Sequence, residues 1–206
     1  MEASKVILSE AEHQLITNAN VILTKNSSLE KISLLFGQLA AMYQEKSSTL
    51  KKAFPAVFGI HPKISKGEKH LGLPWIMLDY PRCFDKETGH LAIRTFFWWG
   101  NYFSIQLQVS GNYIPAFLQS IPKWSLEKNT WHIGLTHDAW DLQIPNPGWI
   151  DINEPSIKDS ITNEMVLKLA KKIPLHEWEN LERNFVGDYA ALANLMEIAL
   201  STQAVK

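Results

Sequence analysis

The sequence predicts an α+β domain: an antiparallel sheet of about five or six strands in the middle of the chain, covered by N-terminal and C-terminal helices. Three observations carry this. Apolar residues recur at helical spacing over about 10–52 and again over about 157–202. Between 73 and 145 the period shortens to two and tryptophan and β-branched residues concentrate. In the centre, Leu91 to Ser110 places two β-prone runs on either side of Gly100-Asn101, a turn signal that supplies the positive φ of a tight hairpin. No Ser/Gly/Pro-rich linker divides the parts, so residues 1–206 are expected to fold as a single domain.

Ser9-Glu10-Ala11-Glu12 has the form of a capping box, and Ala11, Leu15, Ala19 and Ile22 follow as a first helix over 10–24. Asn26-Ser27-Ser28 is expected to break it. Ser27 with Glu30 then starts a longer helix to about Lys52, with Leu29, Ile32, Leu35 or Phe36, Leu39, Met42 and Tyr43 as its apolar stripe. Pro55 ends it. His61 to His70 reads as a lysine-bearing solvated loop without any phosphate-binding glycine pattern.

Leu73–Tyr80 reads as a strand buried on both sides, closed by Asp79-Tyr80-Pro81-Arg82. With 91–99 and 102–110 it makes three consecutive antiparallel strands. Further on, Pro115 opens a short helix to Ser120. Trp124–Glu127 and Thr130–Thr136 are expected to pair about Lys128-Asn129, and Trp140, Leu142 and Ile144 alternate as one more strand. Ile161, Met165, Leu169 and Ile173 recur every four residues as a helix that Pro174 interrupts. A last helix carries Trp178, Leu181 and Phe185, and Gly187-Asp188 is expected to bend it before Tyr189, Leu192, Leu195, Met196 and Ala199.

If Gly100 and Asn101 alone form the loop, Trp99 faces Tyr102 and Trp98 faces Phe103. Strand alternation then gives the hairpin a core face and a half-wet face bearing Thr95, Phe97, Trp99, Tyr102, Ser104, Gln106 and Gln108. Phe97, Trp99 and Tyr102, joined by Trp140 or Trp149, form a candidate binding surface for an apolar or planar ligand or a protein partner. Ser104, Gln106 and Gln108 would fix orientation there by hydrogen bonding. Seven of the eight tryptophans (75, 98, 99, 124, 131, 140 and 149) lie between 75 and 149, which fits both a cleft and a thick core.

Two weaker constellations point to hydrolysis. One is His137, Asp138 and Asp141. The other is Cys83 with His90 across the Asp85–Gly89 turn, with Arg82 to lower the thiol pKa. No spaced His/Cys set suits a metal, and no cofactor motif occurs. Asp79 and Arg94 are charges embedded in apolar strands and are expected to pair.

Formal net charge is −1, so no global field recruits nucleic acid or an anionic membrane. One cysteine makes no internal disulfide, and no apolar run reaches membrane-spanning length. A soluble, cytosolic protein is expected. Its function is read as a non-catalytic binding or protein-interaction domain, with a hydrolase-type enzyme as the alternative. Homodimerisation through the last helix, Tyr189 to Ala199, is a further expectation.

Overall fold

The computed structural model describes residues 6–121, 131–144, 149–151 and 165–204. The chain divides into two compact units, Met1–Leu35 and Phe36–Lys206.

The first unit is helical. Ser9 caps α1 (Glu10–Thr17), and the capping box forms in full, with Glu12 reaching back to the Ser9 backbone. The break that follows lies at Asn18, earlier than the expected Asn26-Ser27-Ser28, and α2 (Ala19–Lys46) passes straight through those residues. Asn18 Oδ1 accepts from the Asn20 amide at 3.2 Å and so starts α2. Ser28 is accommodated because its hydroxyl donates to the Thr24 carbonyl inside the helix. The second capping box is therefore not used.

The second unit contains the rest of α2, two short helices, α3 (Ser48–Ala53) and α4 (Pro55–Phe58), and the sheet. Its strands are β1 (Lys63–His70), β2 (Leu73–Asp85), β3 (Gly89–Trp98), β4 (Tyr102–Ser110), β5 (His132–Thr136), β6 (Trp149–Asp151) and β7 (Val166–Pro174). They lie in the order β1-β2-β3-β4-β7-β5-β6, and every pair is antiparallel. Helices α5 (Ile114–Ser120) and α6 (Leu181–Ala204) complete the unit.

The α+β class and the antiparallel succession of the three central strands stand as expected, and five local readings are corrected. β2 does not close at Asp79-Tyr80-Pro81-Arg82 but runs on to Asp85, its pairing with β3 shifting register between Asp79 and Arg82, around the proline that cannot donate to the ladder. Residues 63–70 are not a loop but the edge strand β1, whose Lys63, Lys66 and Lys69 suit an edge that must not pair with another chain. Residues 166–174 are strand, not helix: a recurrence every four residues is also an even number, so Leu169 and Ile173 share a face in either structure. Residues 140–144 form no strand. Gly187 does not interrupt α6. The expected partner of β5, Trp124–Glu127, lies outside the described residues, and β5 pairs with β6 and β7.

The hairpin register is displaced by one residue. Trp98 faces Tyr102, Phe97 faces Phe103 and Arg94 faces Gln106, leaving Trp99, Gly100 and Asn101 as the connection. Gly100 has the positive φ, at 69°, but it does not occupy the first central position of a two-residue turn. The Asn101 amide instead donates to the Trp98 carbonyl at 3.1 Å, closing a longer turn with glycine at its third position.

This displacement re-sorts the faces. Ile93, Thr95 and Phe97 share one face with Phe103, Ile105 and Leu107, and this is the helix-covered core. There Tyr43 of α2 meets the Thr95 hydroxyl at 3.1 Å and stacks on Tyr189 of α6 at 3.8 Å. Phe36 and Phe103 both pack edge-on against Phe185. Arg94, Phe96 and Trp98 share the opposite face with Tyr102, Ser104, Gln106 and Gln108.

Candidate functional site

The second face concentrates buried polar side chains. Asp79, Arg94, Ser104, Gln106, Gln108 and Lys168 are all buried, on four adjacent strands. Such groups are tolerated only with partners, and the partners here are mostly the chain's own backbone. Residues 138–144 run across this face as a strap. Lys168 Nζ donates to the carbonyls of Asp138, at 2.8 Å, and of Asp141. The Ala139 carbonyl accepts from Arg94 Nη1 and Gln108 Nε2, both at 3.0 Å. The Leu142 carbonyl accepts from the Tyr102 hydroxyl at 3.2 Å and Gln106 Nε2 at 3.4 Å.

Apolar contacts and charge reinforce the strap. The Leu142 side chain enters a cluster with Met77, Phe96 and Trp98, against which Tyr102 and Trp75 pack. The Trp140 ring lies 4.3 Å from the Arg94 guanidinium carbon, and Arg94 Nε donates to Asp79 Oδ1 at 2.9 Å, as the pairing of two embedded charges requires. Burial drives the Lys168 ammonium down to about 8, with Asp141 and Asp138 opposing the shift. Burial likewise raises Asp79 above the ordinary carboxylate range, and the Arg94 charge opposes it.

The candidate ligand-binding residues are thus dispersed. Phe97 is on the helix side, against Phe103, and Trp99 is in the turn. Tyr102, Ser104, Gln106 and Gln108 share a face, with the hydroxyl of Tyr102 and the amides of both glutamines engaged by the strap. Of the two tryptophans suggested beside them, Trp140 covers Arg94, and the Trp149 side chain lies outside what the structure describes.

The catalytic candidates separate differently. Cys83 is buried opposite Leu91, with Sγ 4.0 Å from the Tyr113 hydroxyl, whereas the neighbouring position, Phe84, faces His90. Cys83 and His90 therefore project from opposite faces of the sheet. Asp138 Oδ1 accepts from the Trp140 amide at 2.7 Å, and Asp141 Oδ1 accepts from the Gln143 amide at 3.2 Å, which shapes the strap's turns. His137 and His90 both line an open cleft of about 480 Å³, which Asp85, Glu87 and Ser110 also line. The Asp85 carboxylate is occupied by the amides of Thr88 and Glu87, which hold it below the ordinary range. Among the described residues no three His, Cys, Asp or Glu side chains gather as metal ligands, and no helix is long and apolar enough to cross a membrane.

The largest surface anomaly lies in the first unit. Val6, Ile7, Leu8, Leu15, Ile16, Val21, Ile22, Leu23 and Leu34 are each 42–97% exposed, and α1 buries no side chain at all. Of these, the sequence places Leu15 and Ile22 on the apolar stripe of a first helix. Periodicity reports that a helix has an apolar stripe, not whether anything covers it. The last helix shows the converse: Tyr189, Leu192, Leu195, Met196 and Ala199, expected as a dimer face, are fully buried within the second unit.

Compared with family models, with curated proteins and with solved structures, the chain matches none.

Proposed function

We propose that this chain is a non-catalytic protein-interaction domain and that the first unit is its contacting element. The observation that carries the reading is the nine exposed aliphatic side chains between Val6 and Leu34. Scattered exposed apolar residues are ordinary, but nine within residues 6–34, six of them on two consecutive helices and three just before the first, mark a contact surface or an aggregation hazard. The polar sheet face, the other surface considered for binding, has most of its donors committed to residues 138–144. A photoreactive residue placed at Leu23 of the full chain in living cells tests this, with Trp178 of the second unit as control. Discrete adducts from Leu23 and not from Trp178 support the reading. Adducts from neither, repeated at Leu15 and Ile16, overturn it.

A second reading has one observation in its favour. His90 and His137, drawn from different parts of the sequence, line one cleft together with Glu87, and imidazole and carboxylate are side chains that general acid–base hydrolysis uses. Turnover of ester or phosphoester substrates that His137→Ala abolishes would support it. Wild-type activity retained in both His137→Ala and His90→Ala would end it.

A further inference from the structure

Independently of the first unit, we infer that the polar sheet face is a peptide-binding groove whose built-in occupant is the strap, and that it takes an acidic peptide in the strap's place. The way the strap is held is the first observation. It joins no ladder. The carbonyls of 138, 139, 141 and 142 accept instead from the side chains of Lys168, Arg94, Gln108, Gln106 and Tyr102. Side-chain donors aimed at main-chain oxygens recognise a backbone whatever residues it carries. Selectivity comes from three further contacts: Leu142 in its apolar cluster, the Trp140 ring on Arg94, and the charges of Asp138 and Asp141 acting on the Lys168 ammonium. The face thus reads two carboxylates three residues apart, with an aromatic ring between them and an aliphatic side chain after.

The second observation is a misfit. Gln106 Oε1 and Gln108 Oε1 are buried acceptors without a donor among the described residues, on side chains of residues no more than 1% exposed. Turning either amide over does not help, because oxygen would then face the Leu142 or the Ala139 carbonyl. The strap turns its own donors away. The Trp140 amide donates to Asp138 Oδ1, the Gln143 amide to Asp141 Oδ1 and the Asp141 amide to the Asp138 carbonyl. Buried acceptors left unmet are costly, so the strap meets the donors of this face and fails its acceptors.

A peptide that keeps the carbonyls, the charges, the tryptophan and the leucine but frees its amides would meet both. Glutamate in place of each aspartate has this effect, since it keeps the charge while the short turn onto the amide two residues on is an aspartate habit. Access is from the outer side, where Trp140 is 62% exposed. The tether sets the scale of competition, because a linked segment acts at an effective concentration on the order of millimolar.

Fluorescence anisotropy of labelled peptides of residues 136–144, titrated with the full chain, tests the inference. The peptide of unchanged sequence should bind only toward millimolar concentration. The same peptide carrying Asp138→Glu and Asp141→Glu should bind at least about tenfold tighter, and one carrying Asp138→Gln and Asp141→Gln should lose that gain. The full chain with Trp140→Ala, a change at an exposed ring, should take the glutamate peptide severalfold tighter still, since its strap holds less firmly. Amide exchange read by mass spectrometry should accelerate over 138–144 of the wild-type chain when that peptide is bound. Absence of saturable binding to either chain overturns the inference. So does binding that leaves exchange over 138–144 unchanged, or a glutamate peptide that binds no better than the other two. Adducts from Leu23 concern the first unit alone, so either reading can fail without the other.

Discussion

Replacing Arg94 with alanine probes the polar face at its centre. The Arg94 side chain is 1% exposed and that of Asp79 7%. The guanidinium makes an ion pair with Asp79, donates to the Ala139 carbonyl and underlies the Trp140 ring. Removal leaves the Asp79 carboxylate buried without its cation, which costs about 3–5 kcal/mol when one partner of a buried pair is deleted. A domain of this kind has about 5–15 kcal/mol in all, so the variant should remain folded but be severely weakened. Urea unfolding followed by tryptophan fluorescence reads the change directly. The sign with pH is also fixed. Burial already raises Asp79 in the intact protein, and losing Arg94 raises it further. Protonation of Asp79 removes the lone buried charge, so the deficit should shrink as pH falls below the variant's raised Asp79 value. Arg94→Met with Asp79→Leu should recover most of the loss, because the pair's stability derives chiefly from avoiding a lone charge. A loss under about 1 kcal/mol in Arg94→Ala would refute the account of this face.

Lys168→Met removes the amine that holds two strap carbonyls, and limited proteolysis should then cut near 138–144 well before the wild-type chain is cut there. Lys168 also predicts a pH effect. An unfolded chain keeps that proton to 10.5 while the folded chain releases it at about 8, so the unfolded state binds more protons in between and stability rises with pH. The rise should be on the order of 2 kcal/mol from pH 8 to 10, present in wild type and missing in Lys168→Met, as urea titrations at each pH will show. Above pH 10 the buried Tyr43 and Tyr189, both raised by burial, reverse the slope. Gly100→Ala should cost about 1 kcal/mol by thermal unfolding, since φ there is 69°.

Much of the fold was legible because local chemistry and tertiary context agreed. The capping box at Ser9, the Asp79–Arg94 pair and the span of β4 all follow from residue patterns that only one structure satisfies. The misreadings share a cause: patterns compatible with two structures. Leu169 and Ile173 fit a helix or a strand equally, and the neighbour β4 decides for strand. Leu142 and Ile144 alternate as in a strand and are indeed both buried, but their stretch lies across the sheet and its carbonyls find side-chain donors instead of a ladder. The hairpin shift lies in whether two or three residues make the connection, and Gly100 with its positive φ serves either turn, so composition does not report it. The strap itself left only a faint trace, the two turn-forming aspartates Asp138 and Asp141.

The central claim is that the aliphatic side chains of the first unit are surface for a partner and not core. The most direct measurement is the unfolding free energy of Leu15→Glu/Ile16→Glu/Ile22→Glu/Leu23→Glu at submicromolar concentration, where contact between molecules is absent. Exposed sites predict a change within about 0.5 kcal/mol per substitution, with the tryptophan-reported transition of the second unit intact. A loss of several kcal/mol, as charges driven into a core would produce, would contradict the claim.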